Sequence, residues 1–168
     1  MKIRLKITRS LDAQIRADLA RPHEFASERV GFLRCQAGAL RDGIILLACD
    51  YSPVLDDEYV DDRSVGARIG EAAIRHALES TYASPSATFH VHLHAHRGRP
   101  WFSRTDLREL PPVACDFFKV APQYPHGMLL LSSDDAAGLC WSSASATPHR
   151  LHDVTIVGAS LTFTDRAL

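Results

Sequence analysis

Polar and apolar residues alternate from the second position of the chain: Lys2, Arg4 and Lys6 interleave with Ile3, Leu5 and Ile7, which predicts a strand with one apolar face. The period then lengthens. Ser10 reads as a helix N-cap, and Leu11, Ile15 and Leu19 recur at helical spacing up to Pro22. Residues 29–35 and 43–49 return to a strand pattern, joined as a hairpin through Gly38 and Arg41-Asp42-Gly43. Residues 50–62 form a polar loop. Residues 65–82 predict the best helix of the chain, with Val65, Ile69, Ala72, Ala73, Ile74 and Leu78 on one side. Residues 88–94 predict a strand, and Arg97-Gly98-Arg99-Pro100 a loop. Ser103 caps a short helix that Pro111-Pro112 should end. Residues 128–132, 139–142 and 154–164 read as later strands. Helices falling between strands point to one α/β (α+β) domain spanning residues 1–168.

Composition narrows the function classes. Of 168 residues 46% are hydrophobic and 23% charged, with a formal net charge of -1, so no bulk charge draws the chain to nucleic acid or to an anionic membrane. No run approaches the ~20 apolar residues that span a bilayer, and the charged start lacks a signal-peptide pattern. Cys35, Cys49, Cys115 and Cys140 form no C-x-x-C pair, which argues against a zinc knuckle. The expectation is reduced thiols in a cytoplasmic protein.

The concentrated chemistry lies in FHVHLHAHRGRPWFSRTD, residues 89–106. On a strand His90, His92 and His94 share one face, with roughly 6.5–7 Å between alternate Cα atoms. Two imidazoles so placed can converge on one ion, and a carboxylate such as Asp106, returned by the glycine- and proline-containing loop, would leave a position open for water. A merely polar, half-exposed histidine face is the alternative.

The order H-x-H, proline-containing loop, S-x-x-D resembles the signature of JAB/MPN (JAMM) zinc metalloproteases. It is most similar to bacterial JAB proteins of ubiquitin-like conjugation systems, which are often associated with antiphage defence. Glu28-Arg29-Val30-Gly31-Phe32-Leu33 stands where that family carries its upstream glutamate. The resemblance runs over residues 24–141 and implies a cytidine deaminase-like MPN fold, a mixed sheet flanked by helices, holding one Zn2+ through an H-x-H pair and the S-x-x-D aspartate.

Asp106 follows His90 by 16 positions, His92 by 14 and His94 by 12. The first register is too long for the family pattern, and the third carries both ligands past the strand end. The middle one assigns His92, His94 and Asp106 to the metal, with the 90/92 and 94/96 registers still open; Ala95 stands where the family often has proline. His96 then faces substrate or supports a ligand, and His90 is a buried neighbour.

The resemblance further implies Glu28 as general base and Ser103 as hydrogen-bond donor to the oxyanion. The substrate it implies is an isopeptide or peptide bond after the C-terminus of a ubiquitin-like protein. The acidic residues of segment 50–62 could meet a basic substrate tail, and Trp101 and Phe102 either contact substrate or anchor their loop. A non-catalytic MPN scaffold, and a metallohydrolase acting on a sulfur-carrier-like C-terminus, are the competing classes.

Overall fold

The structure, a computed structural model, describes residues 1–158. A mixed sheet of eight strands forms its centre: β1 (Lys2–Thr8), β2 (Val30–Leu40), β3 (Gly43–Pro53), β4 (Ala87–Leu93), β5 (His126–Leu131), β6 (Ala136–Trp141), β7 (His149–Arg150) and β8 (Asp153–Val157). Their spatial order is β7-β6-β5-β4-β2-β3-β1-β8. Helices α1 (Arg9–Leu19), α2 (Glu71–Ala83) and α3 (Arg104–Asp116) complete the fold, with short 3-10 turns at Asp56–Glu58 and Phe117–Lys119. The fold is thus mixed α/β, as the alternation of elements along the chain predicts.

The alternation in β1 does what its pattern requires. Ile3, Leu5 and Ile7 are buried, while Arg4 reaches Asp42 and Lys6 reaches Asp153 on the other side. α1 packs Ile15 and Leu19 against that apolar face, together with Leu33, Phe89, Val91, Leu129 and Leu131. The opposite face of the sheet packs Val30 and Phe32 against Ala73 and Ala77 of α2 and against Phe117. Because strand side chains alternate, β4 sends Phe89 and Val91 into the first core and turns His90 and His92 toward the α2–α3 side.

Several expected boundaries move. Thr8, not Ser10, caps α1, accepting the Leu11 N–H at 3.3 Å. Gly38 lies inside β2, and the hairpin turns at Arg41-Asp42. β3 runs on to Pro53 and buries Tyr51, so the polar loop starts later than residue 50. The helix expected from residue 65 begins at Glu71: Tyr59 and Ile69 form a β-bridge, and Gly70 N–H bonds the Glu58 carbonyl. Residues 65–70 therefore close a loop, and the apolar spacing of Val65 and Ile69 serves cleft lining. The stop expected at Pro111-Pro112 also fails, because α3 continues to Asp116. Two prolines remove two helical N–H donors, yet continuing the helix buries Ala114 and Phe117 completely. The strand expected over 154–164 is observed as Asp153–Val157 and ends before Gly158, residues 159–164 lying outside the described ones.

Two connections position the site. β4 and β5 are parallel, so the chain must cross back between them, and α3 makes that crossover. The C-terminal end of β4 therefore meets the N-terminus of α3, where α/β sheets gather their ligands. β2 runs antiparallel to β4 with Val30 opposite His92, which carries Glu28, two residues before Val30, to the level of His94.

Candidate metal centre

His92 lies near the end of β4 and His94 one residue beyond it, Glu28 leads into β2, and Asp106 is the third residue of α3. Ligand atoms of Glu28, His92 and His94 all lie within 4.8 Å of one another. Asp106 closes the group, with Oδ1 3.5 Å from His92 Nε2 and Oδ2 3.9 Å from His94 Nε2. Glu28 Oε1 stands 3.6 Å from His94 Nε2.

These separations test whether a metal fits. His92 is buried, and neither of its ring nitrogens has a hydrogen-bond partner, a costly state for an imidazole in a core. The 3.5 Å approach to Asp106 is too long for a good hydrogen bond. Ligand atoms about 2.0–2.2 Å from a tetrahedral zinc lie roughly 3.3–3.5 Å from one another. The observed spacings are close to that, and two imidazoles with a carboxylate are a donor set zinc accepts. The group could hold a metal ion.

α3 fixes Asp106. Ser103 is its N-cap: Ser103 Oγ accepts the Asp106 N–H at 3.1 Å, and Asp106 Oδ2 accepts the Ser103 N–H at 2.7 Å. That reciprocal capping box holds one carboxylate oxygen and leaves the other toward His92. Burial pushes the Asp106 carboxyl upward, but the nearby His92 ring and the Ser103 N–H outweigh it. They hold the group well below the ordinary carboxylate range. Burial, reinforced by His92, pushes His94 down and favours the neutral ring that a metal needs. The Ser103 hydroxyl proton meets no acceptor among the described residues and is free to be donated.

The remaining histidines divide. His90 is buried and pushed down to about 3 by desolvation and its neighbour His92; Phe32 and His92 pack edge-on to its ring. His96 lies farther out, its ring 6.2 Å from that of His94, with Nδ1 beside the Arg97 carbonyl and Trp101 stacked on it at 4.9 Å. Of the two loop aromatics, Phe102 packs against Ala114, Phe118, Met128 and Trp141 and anchors the loop, while Trp101 is 68% exposed.

A cleft of about 390 Å³ opens beside the group, between the 59–69 loop and α3, with Val30, His90 and Ile74 among its lining. Several acidic residues of segment 50–62 form ion pairs within the chain. Asp50 pairs with Arg34, Asp56 with buried Arg29, Glu58 with His76 and Asp62 with Arg68. Reading along the sequence missed this loop and the Arg29 clamp, in which Nε and Nη2 donate to the Arg21 and Pro22 carbonyls. The signal available was Asp62-Arg63-Ser64 followed by Gly66 and Gly70. Asp62 Oδ1 accepts the Ser64 N–H in an Asx turn, and turn chemistry of that kind competes with a helix.

No helix among the described residues is long and apolar enough to cross a membrane. Compared with known proteins, the chain matches no family model and no curated protein.

Proposed function

We propose that the chain is a zinc-dependent isopeptidase of the JAB/MPN kind, cleaving an amide bond after the C-terminus of a ubiquitin-like protein. One observation carries the reading: Glu28, His92, His94 and Asp106, from three separate elements, converge at the mouth of a cleft, in the order along the chain that the family signature has.

His92, His94 and Asp106 hold the ion, and Glu28 stands beside it. The choice between the two carboxylates follows from how each is held. Asp106 is 14% exposed and pinned by backbone, whereas Glu28 is 30% exposed on a longer side chain. Zinc bound there supplies Lewis-acid chemistry, making a water molecule ionisable near neutral pH and polarising the scissile carbonyl. Glu28 accepts the water's proton and returns it to the leaving amine. Ser103 donates its hydroxyl proton in a hydrogen bond to the oxygen that becomes negative as the carbonyl is attacked. No cysteine is needed: Cys35 and Cys140 are buried thiols pushed upward by desolvation, which disfavours the nucleophilic thiolate.

The test is metal content and cleavage measured together on wild type and on His90→Ala, His92→Ala, His94→Ala and His96→Ala. Probes are ubiquitin with a C-terminal fluorogenic amide and a lysine-linked ubiquitin dimer. The expected result is one zinc per chain, lost in the His92 and His94 variants and kept in the other two. Full zinc in His92→Ala would shift the register, and stoichiometric zinc without cleavage of either probe would favour a scaffold.

A further inference from the structure

Gly66 is a glycine without a conformational reason to be one. The described glycines with positive φ are Gly98 and Gly158, so the Gly66 backbone is one that any residue adopts. What singles it out is its neighbour. A β-carbon built on Gly66 would stand 2.4 Å from Glu28 Cδ, and 2.5 and 2.9 Å from the two carboxylate oxygens. Real Cβ atoms do not approach so closely, and the atoms in the way are the tip of a side chain that can swing aside.

The backbone around it leaves little freedom on the other side. Gly66 C=O accepts the Glu28 N–H at 3.0 Å and the Ser27 hydroxyl at 3.3 Å, tying the loop to the start of β2. The base of the loop is closed by the Tyr59–Ile69 bridge and by Val60 N–H to the Arg68 carbonyl at 2.8 Å. A side chain at 66 would thus displace the carboxylate rather than the loop.

We infer that Gly66 is the positioning residue for Glu28: its missing side chain leaves the space from which the carboxylate faces His94. The inference rests on the reading of Glu28 as the base, and it makes the 59–69 loop part of the machinery from nearly 40 positions downstream of Glu28. It acts through Glu28 and touches no substrate in this role.

The experiment compares Gly66→Ala with wild type in full-length, zinc-loaded protein, alone and in a Glu28→Asp background. A carboxylate one methylene shorter clears the added methyl. Expected are unchanged zinc content, a crystal structure with the Glu28 carboxylate displaced from His94, and a kcat lowered about 10- to 100-fold at constant KM, the scale of an ångström-sized misplacement. In the Glu28→Asp background the same substitution should cost almost nothing. Equal cost in both backgrounds, or a Glu28 carboxylate unmoved in the crystal, overturns the inference. Should Gly66→Ala lower the melting temperature, Glu28→Ala must restore it; a loss that persists without the carboxylate also overturns the inference. If wild type cleaves neither ubiquitin probe but the carboxylate moves as expected, Gly66 keeps its role and the isopeptidase reading fails.

Discussion

Asp106 and Glu28 approach the same ring, His94, to 3.9 and 3.6 Å, but the chain holds the two carboxylates by opposite means. Asp106 is fixed locally. Its helix, its cap Ser103 and its own carboxylate form one motif of four consecutive residues, closed by two hydrogen bonds. Glu28 is fixed from a distance. Register with β4 brings it to the right level, and the Gly66 loop supports it from behind. The local device gives a rigid group suited to hold an ion. The distant one leaves a longer side chain at the cleft edge, suited to carry a proton.

The largest expected effect separates those roles. Asp106→Asn keeps the capping geometry but removes the charge. Zinc affinity, measured by competition with a chelator, should fall by more than the roughly 100-fold that loss of an outer partner costs. Glu28→Gln should retain stoichiometric zinc and lose turnover by about 10²- to 10⁴-fold. If Glu28→Gln sheds zinc as readily as Asp106→Asn, the contrast collapses and Glu28 is a ligand.

The same contrast decides what could be read from the sequence. Ser103-x-x-Asp106 is recognisable because capping is a matter between neighbours, and β4 because its period is two. The histidine pair follows from that period, although the choice of His92 and His94 drew on family spacing. Residues 65–70 misled because Val65 and Ile69 keep a helical interval while the backbone is committed to a bridge with Tyr59. The passage of α3 through Pro111 and Pro112 was hidden for a related reason. Local chemistry says stop, and the burial of Ala114 and Phe117 against other elements outweighs it. The expectation of an MPN fold rests on motif order, whereas the α/β class follows from element alternation alone.

Comparing the carboxylates at acid pH requires knowing how the scaffold itself titrates, and His126 contributes to that background from outside the metal centre. It is fully buried between Phe117 and Phe118, with Nδ1 accepting the Thr88 N–H at 3.1 Å and Nε2 donating to the Ala121 carbonyl at 2.9 Å. Burial lowers it from 6.5 to about 4. The folded state therefore holds it neutral while the unfolded chain takes up a proton below pH 6.5, so its contribution is whole above that pH and drains away as pH falls toward 4. The loss should approach about 3 kcal/mol. Urea unfolding of wild type and His126→Gln from pH 7 to 4.5 checks it. The variant starts less stable, and the gap should narrow with acid; a gap independent of pH would remove His126 from this role.

The smallest effect probes the local device itself. Ser103→Ala removes the acceptor for the Asp106 N–H but leaves the Ser103-position N–H that binds Oδ2, so the carboxylate loses half of its frame. Loss of such a cap costs about 1 kcal/mol of stability, and loosening the ligand should weaken zinc by about tenfold, the low end for an outer partner. Ser103→Thr restores the cap and should restore both, by urea unfolding and chelator competition. Turnover then divides Ser103's two duties. If the hydroxyl only frames Asp106, saturating zinc returns Ser103→Ala to wild-type kcat. If it also donates to the developing oxyanion, kcat stays lowered by about 10²- to 10³-fold however much zinc is added. A cap from a neighbour can be exchanged in this way without disturbing Glu28, whose support comes from the other side of the cleft.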